Sequence, residues 1–170
     1  MPEKEDPTLP RWFVCHTKPR CEKKFAELMI MEEFEHFLPL VSSVRRYGYK
    51  TKKFTKPLFP SYVFAKMPPI HKPRAHQFDH LVRMLKVDNQ VVFLKQINAI
   101  RLMLEAGLEL QLFPPLEKGT KVKIIGGPLW GVEGIVDNPK HPKGIIVMVD
   151  VLQQGVLARI QPEFLKRIDD

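Results

Sequence analysis

Apolar and polar positions change period several times along this chain, and each change predicts an element. Residues 11–17 carry Trp12, Phe13 and Val14 in succession, a run too short for a helix that ends just before Pro19, so a strand is expected there. Pro19 then marks a helix start, where its missing N–H costs nothing. Over residues 20–35 apolar side chains return at helical spacing. Phe25, Leu28 and Met29 fall on a buried face, and Glu22, Lys23, Lys24 and Glu27 on a wet one. Residues 37–44 are extended and feed Arg45-Arg46-Tyr47-Gly48-Tyr49-Lys50, with Gly48 at a hairpin tip and a return strand over 51–55. Pro57 and Pro60 set the start of a central strand over 62–65. Pro68, Pro69 and Pro73 bound a loop around Ile70-His71-Lys72. A short helix at 74–78, a strand at 80–87 and a helix at 96–106 follow, the last with Ile97, Ile100, Leu104 and also Met103 on its buried face. Gly107 stands where a helix-terminating glycine belongs.

Beyond Gly107 the pattern changes. Residues 108–117 contain Pro114-Pro115 and no clear period, which reads as a linker. Lys121-Val122-Lys123-Ile124-Ile125 alternates, Gly126-Gly127-Pro128 makes a turn, and short strands are expected at 133–136, 144–151, 155–160 and 165–168, with Asn138-Pro139 in a loop. Short strands at such spacing suggest a small closed β-barrel, since closure removes exposed edges. The chain is thus expected to be α+β: a disordered tail over 1–10, an N-terminal antiparallel sheet flanked by helices over 11–107, a linker over 108–117 and a barrel over 118–170.

Composition narrows the function classes. No apolar run approaches the roughly 18 residues of a membrane helix, and Met1 to Pro10 is polar, unlike a secretory signal. Cys15 and Cys21 are too few for a disulfide framework. They could suggest a metal site with His16, but a structural zinc site takes four ligands and no second cysteine pair exists. A cytoplasmic protein without metal, cofactor or membrane partner is expected. The net charge of +8 is unevenly spread: residues 1–105 hold 19 Lys and Arg against 11 Asp and Glu, whereas residues 106–170 hold 8 of each. Between Glu35 and Asp79 there are nine basic residues and no acid. A field of one sign attracts polyanions such as nucleic acid, although a solvated hairpin that aids solubility has the same composition.

No catalytic constellation is present. Gly126-Gly127-Pro128 cannot cradle phosphate, because no helix follows it. The six histidines lack metal spacing, and Glu32, Glu33 and Glu35 read as a solvated helix end. A binding protein, not an enzyme, is expected. Phe59, Tyr62 and Phe64 beside Pro60 stand out instead. They are either a core face of the sheet or an exposed apolar patch that docks a partner.

Trp12-Phe13-Val14, Thr17 to Glu22 and Pro57-Leu58-Phe59-Pro60-Ser61-Tyr62-Val63-Phe64 resemble the N-terminal domain of NusG-type transcription factors. Residues 119–136, with Gly127-Pro128, Gly131 and Gly134-Ile135-Val136, resemble the SH3-like KOW barrel of their C-terminal domain. The resemblance implies binding to the clamp helices of RNA polymerase through His16, Phe59, Pro60, Tyr62 and Phe64, with His71 in a loop toward the opposite lobe. It implies a basic hairpin (Arg45, Arg46, Lys50, Lys52, Lys53) near nucleic acid, suppression of pausing or termination, and a KOW module that recruits the termination factor Rho or a ribosomal protein. Ser61 replaces a glycine common in general members, and the Pro-Leu-Phe-Pro wording is similar to specialised RfaH-like paralogues, some of which read the non-template DNA strand. Lys18 and Lys24 match positions that face that DNA, and both also read as plain solvated surface. The alternative reading is a ribosome-associated RNA-binding protein with a KOW domain.

Overall fold

The computed structural model describes residues 4–114, 119–138, 142 and 144–168, and the chain divides into two compact units, Met1–Gln90 and Val91–Asp170. The first unit is built on a four-stranded antiparallel sheet of order β2-β5-β1-β6, from β1 (Arg11–Thr17), β2 (Glu35–Phe37), β5 (Tyr62–Met67) and β6 (Leu81–Lys86). Alternation along the two central strands sorts their side chains. Phe13 and Cys15 of β1 and Val63, Ala65 and Met67 of β5 form one buried cluster with Phe25 and Met29 of α1 (Glu22–Met31), Ala75 of α2 (Lys72–His76) and Leu81. Trp12, Val14, His16, Tyr62 and Phe64 lie on the other face. The helical face expected from Phe25, Leu28 and Met29 is the one that packs.

Two features of this unit depart from the sequence-based expectation. Glu22, placed on the wet face, is buried, because its carboxylate caps a backbone amide of the loop before β5. The segment before Arg11, expected to be a disordered tail, is tied down over its described residues. Glu5 pairs with Arg11 and lies 3.5 Å from Lys86, and the Pro7 carbonyl accepts the Ile70 N–H at 3.1 Å.

A separate two-stranded ribbon, β3 (Leu40–Tyr47) with β4 (Lys50–Pro57), projects from the unit. Gly48 at its tip has φ +60, as a tight two-residue hairpin requires. Lys23 of α1 anchors its base, donating to the Thr55 carbonyl at 3.0 Å and hydroxyl at 3.1 Å.

The second unit contains α3 (Gln90–Glu105) and a six-stranded antiparallel sheet of order β12-β8-β9-β10-β11-β7. Its strands are β7 (Leu110–Phe113), β8 (Thr120–Ile124), β9 (Glu133–Val136), β10 (Ile145–Val149), β11 (Gln154–Ala158) and β12 (Leu165–Arg167). Helix α3 begins earlier than expected and ends at Gly107, whose φ is +76. It belongs by contact to the second unit rather than the first, held by a Lys95–Glu133 pair at 2.7 Å and a Gln96–Asp150 hydrogen bond at 2.9 Å. The 108–117 stretch, read as a linker, instead contains β7, whose four residues pair with β11 from Gly155 to Ala158. Among the described residues no ladder joins β7 to β12, so the pairings establish the antiparallel strand order but not closure into a barrel. Pro139 of the expected Asn138-Pro139 loop lies outside the described residues.

Among the described residues no helix is long and apolar enough to cross a membrane. The same residues include no cluster of His, Cys, Asp and Glu that could hold a metal ion. Burial in the core raises the Cys15 thiol to about 12. His16, next along β1, points to the opposite face.

Candidate functional site

Antiparallel register sets His16 directly against Tyr62, and their rings stack at 5.1 Å with planes 25° apart. Both side chains are half-buried, and Pro60 beside them is exposed. Beneath this surface the apolar rings turn inward. Phe64 packs on Phe37 of β2 at 6.2 Å, and Phe59 meets Phe64 edge-on at 5.7 Å. Phe59 is 1% exposed and Phe64 0%. The patch expected at Phe59, Pro60, Tyr62 and Phe64 is therefore two layers. Pro60, Tyr62 and His16 reach the surface, and Phe59 and Phe64 support them from the core.

The turn that presents this surface is unusual. Ser61 has φ +68, the left-handed region that a side chain disfavours. Both of its backbone groups are engaged: its N–H donates to Glu22 Oε1 at 2.9 Å, and its carbonyl accepts the Thr17 N–H at 2.8 Å. Glu22 stands in the first turn of α1, where a carboxylate also meets the positive end of the helix dipole. A buried acid thus fixes the backbone from which Tyr62 projects.

His71 lies elsewhere. It ends the 3-10 turn Pro69–His71, and its ring sits 5.4 Å from that of Phe34, which packs against the helix-side core. The structure does not bring it to the His16–Tyr62 face.

The predicted basic residues fall into three groups. Arg45, Arg46, Lys50, Lys52 and Lys53 are all exposed on the ribbon, with Lys56 nearer its base. Lys24 is exposed on α1. Lys18 is engaged by Asp79 at 2.9 Å, and that bond holds the Asp79 carboxyl below its ordinary value. Sequence reasoning missed Glu22, Phe37 and Tyr49. A Glu22 partner 39 residues away leaves no local signal, whereas Tyr49, fully exposed at the ribbon tip, was legible as an aromatic between Gly48 and Lys50.

In the second unit, Trp130 is 69% exposed with the Lys123 ammonium 5.5 Å from its ring centre. A groove of about 730 Å³ runs beside it, with apolar walls from Val92, Ala99 and Leu102 of α3 and Ile135 and Ile146 of the sheet. No nucleophile with an adjacent base converges there.

The family described as "Transcription termination factor nusG" matches residues 10–105. No curated protein sequence matches the chain. Among solved structures, a chain of "Crystal Structure of MjSpt4:Spt5 complex conformation B" aligns at 17% identity over 94% of this chain and 97% of that one, with a TM-score of 0.29.

Proposed function

Because the chain belongs to the NusG family of transcription factors, we propose that it is an elongation and antitermination factor whose first unit docks on the clamp helices of RNA polymerase. The observation that carries this reading is the stacked His16–Tyr62 pair beside exposed Pro60, on strands inside the matched region. A flat ring pair with a fixed proline loses little conformational freedom on binding, as a hot spot requires. Phe59 and Phe64 act as the rigid floor. His71, on a different part of the unit, suits contact with the opposite lobe. The exposed cations of the ribbon, with Lys18 and Lys24, suit nucleic acid in the transcription complex. Closure of the cleft by this bridge would suppress pausing or termination.

The second unit is proposed to be a KOW module that recruits Rho or a ribosomal protein. The left-handed glycines Gly127 (φ +73) and Gly131 (φ +90) among its short antiparallel strands support the KOW reading, and the equal numbers of acids and bases over residues 106–170 support a protein partner. The Pro57 to Ser61 wording supports a specialised RfaH-like member.

The test is retention of the full chain on immobilised core RNA polymerase. Tyr62→Ala with Pro60→Ala should lower affinity at least about tenfold, the scale of a lost hot spot, with an unchanged circular dichroism spectrum. Undiminished retention would refute the docking surface. Co-sedimentation with ribosomal subunits in the absence of polymerase would favour a ribosome-associated protein instead.

A further inference from the structure

Residues 5–9 precede the region that the family matches, yet they are fastened onto the first unit. Glu5 meets two cations, Arg11 at the start of β1 and Lys86 at the end of β6. The Arg11 side chain is only 15% exposed, and its Nε is buried without a hydrogen-bond partner. A guanidinium so far removed from water is costly without a carboxylate, and Glu5 supplies one. The next residue makes a tight turn: Asp6 Oδ1 accepts the Thr8 N–H at 2.9 Å and its hydroxyl at 2.6 Å, and the Leu9 N–H reaches the Asp6 carbonyl at 3.2 Å. Inside that turn the Pro7 carbonyl accepts the Ile70 N–H at 3.1 Å.

The segment that receives this bond has few other means of being held. In Pro68-Pro69-Ile70-His71-Lys72-Pro73 the three prolines have no N–H to give. Of the three remaining amides, those of His71 and Lys72 close the turn on itself, onto the Pro68 and Pro69 carbonyls. The Ile70 amide alone leaves the segment. Downstream, α2 is fastened to α1, since the Arg74 guanidinium donates to both Glu32 oxygens at 2.6 and 2.9 Å. The Lys72 ammonium also lies 5.1 Å over the Phe13 ring. Upstream, Ile70 is 53% exposed, so burial does little to fix it. The bond from Pro7 is what fastens that end of the turn, and the His71 ring follows one residue later.

We infer that residues 5–7 are a clasp that positions the Pro69–His71 turn, so that His71 is held ready for the opposite polymerase lobe before the two meet. The inference deepens the docking reading proposed above and rests on it. Glu5 is a positioning residue: it acts through the Pro7 carbonyl and the Ile70 amide. A turn already fixed in one conformation loses less freedom on binding, and that difference appears as affinity. The ionic end of the clasp is half exposed, so added salt loosens it.

The experiment joins amide hydrogen exchange, read by NMR, to the affinity of the full chain for core RNA polymerase. Glu5→Gln should speed exchange at Ile70 about tenfold or more, the scale of losing a charge-assisted contact, and leave the Val63 and Phe64 amides of β5 unchanged. Pro7→Gly keeps both the Glu5 carboxylate and the carbonyl acceptor but frees the backbone, so it should give a smaller rise at Ile70. Glu5→Gln should also weaken polymerase binding about threefold. That loss should disappear in a His71→Ala background and persist in a Tyr62→Ala background, because only the first shares the turn. Unchanged exchange at Ile70 overturns the inference. So does an equal rise across β5, which would make Glu5 a general stabiliser, or an equal loss of affinity in the His71→Ala background. Faster exchange at Ile70 with unaltered polymerase affinity overturns this inference and leaves the docking reading standing. Failure of the unsubstituted chain to bind polymerase overturns both.

Discussion

Removing the Glu22 carboxylate tests how the turn before β5 is held. Glu22→Ala deletes the acceptor of the Ser61 N–H, a charge-assisted bond of 2.9 Å in a part-buried setting. Losing such a bond and leaving the amide unpaired costs about 1.5–3 kcal/mol. Glu22→Gln keeps an acceptor oxygen and should cost less. Ser61→Gly acts on the other side of the same balance. A side chain at φ +68 costs about 1–2 kcal/mol, and glycine gives back roughly 0.5–1 kcal/mol of that through its freer unfolded chain. Ser61→Gly should therefore stabilise by at most about 1 kcal/mol. If Glu22 is what restrains Ser61, glycine at 61 makes the restraint less necessary. The double variant should then be more stable than the sum of the single effects by about 0.5–1.5 kcal/mol. Urea unfolding followed by Trp12 fluorescence in a Trp130→Phe background reads the first unit, since Trp12 is 3% exposed and Trp130 69%. Additive effects, or a Glu22→Ala cost below about 0.5 kcal/mol, would refute the restraint and assign the turn to the Thr17–Ser61 bond alone.

Phe59→Ala should destabilise the first unit by about 3–5 kcal/mol, whereas exposed Pro60→Ala should change its urea midpoint little. Equal midpoints would contradict the two-layer patch. Gly144→Ala places a Cβ against the Ala158 carbonyl, where β10 meets β11. It should lower stability by about 1–3 kcal/mol, measured by thermal circular dichroism, and a neutral result would show that the strands can separate freely there. The Lys18–Asp79 pair lowers the Asp79 carboxyl below its ordinary 3.8, so its contribution is complete above that value and lost as pH falls through the lower folded one. The difference in stability between wild type and Lys18→Ala should be present at neutral pH and vanish in acid. A difference that persists in acid would mean that Lys18 stabilises by packing.

Local pattern made β1, α1, the ribbon and β5 legible, because period and proline placement are short-range signals. The turn at Gly48 and the helix end at Gly107 were legible for the same reason. Burial was less so. Glu22 reads as polar surface until its partner, distant in sequence, is known. Phe59 and Phe64 fit a core face and a docking face equally, and alternation alone cannot tell which side of a sheet is covered. Strand β7 was missed because four residues beside Pro114-Pro115 carry too little period. Its partner Gly155–Ala158 lies over 40 residues away. Conversely, the ribbon cations were legible as a run, but only the register showed that four of them share a face with the aromatics.

Strand β7 also sets a reach. As free chain, the ten residues 108–117 could span about 35 Å at full extension. With Leu110–Phe113 laddered onto β11, only Leu108 and Glu109 separate the end of α3 and its Gly107 cap from the sheet. Three peptide steps from Gly107 to Leu110 allow about 11 Å. The leash between helix and sheet is therefore held short by four backbone pairings. Peeling β7 from β11 would release most of its length, and doing so exposes the edge of β11 in the same movement.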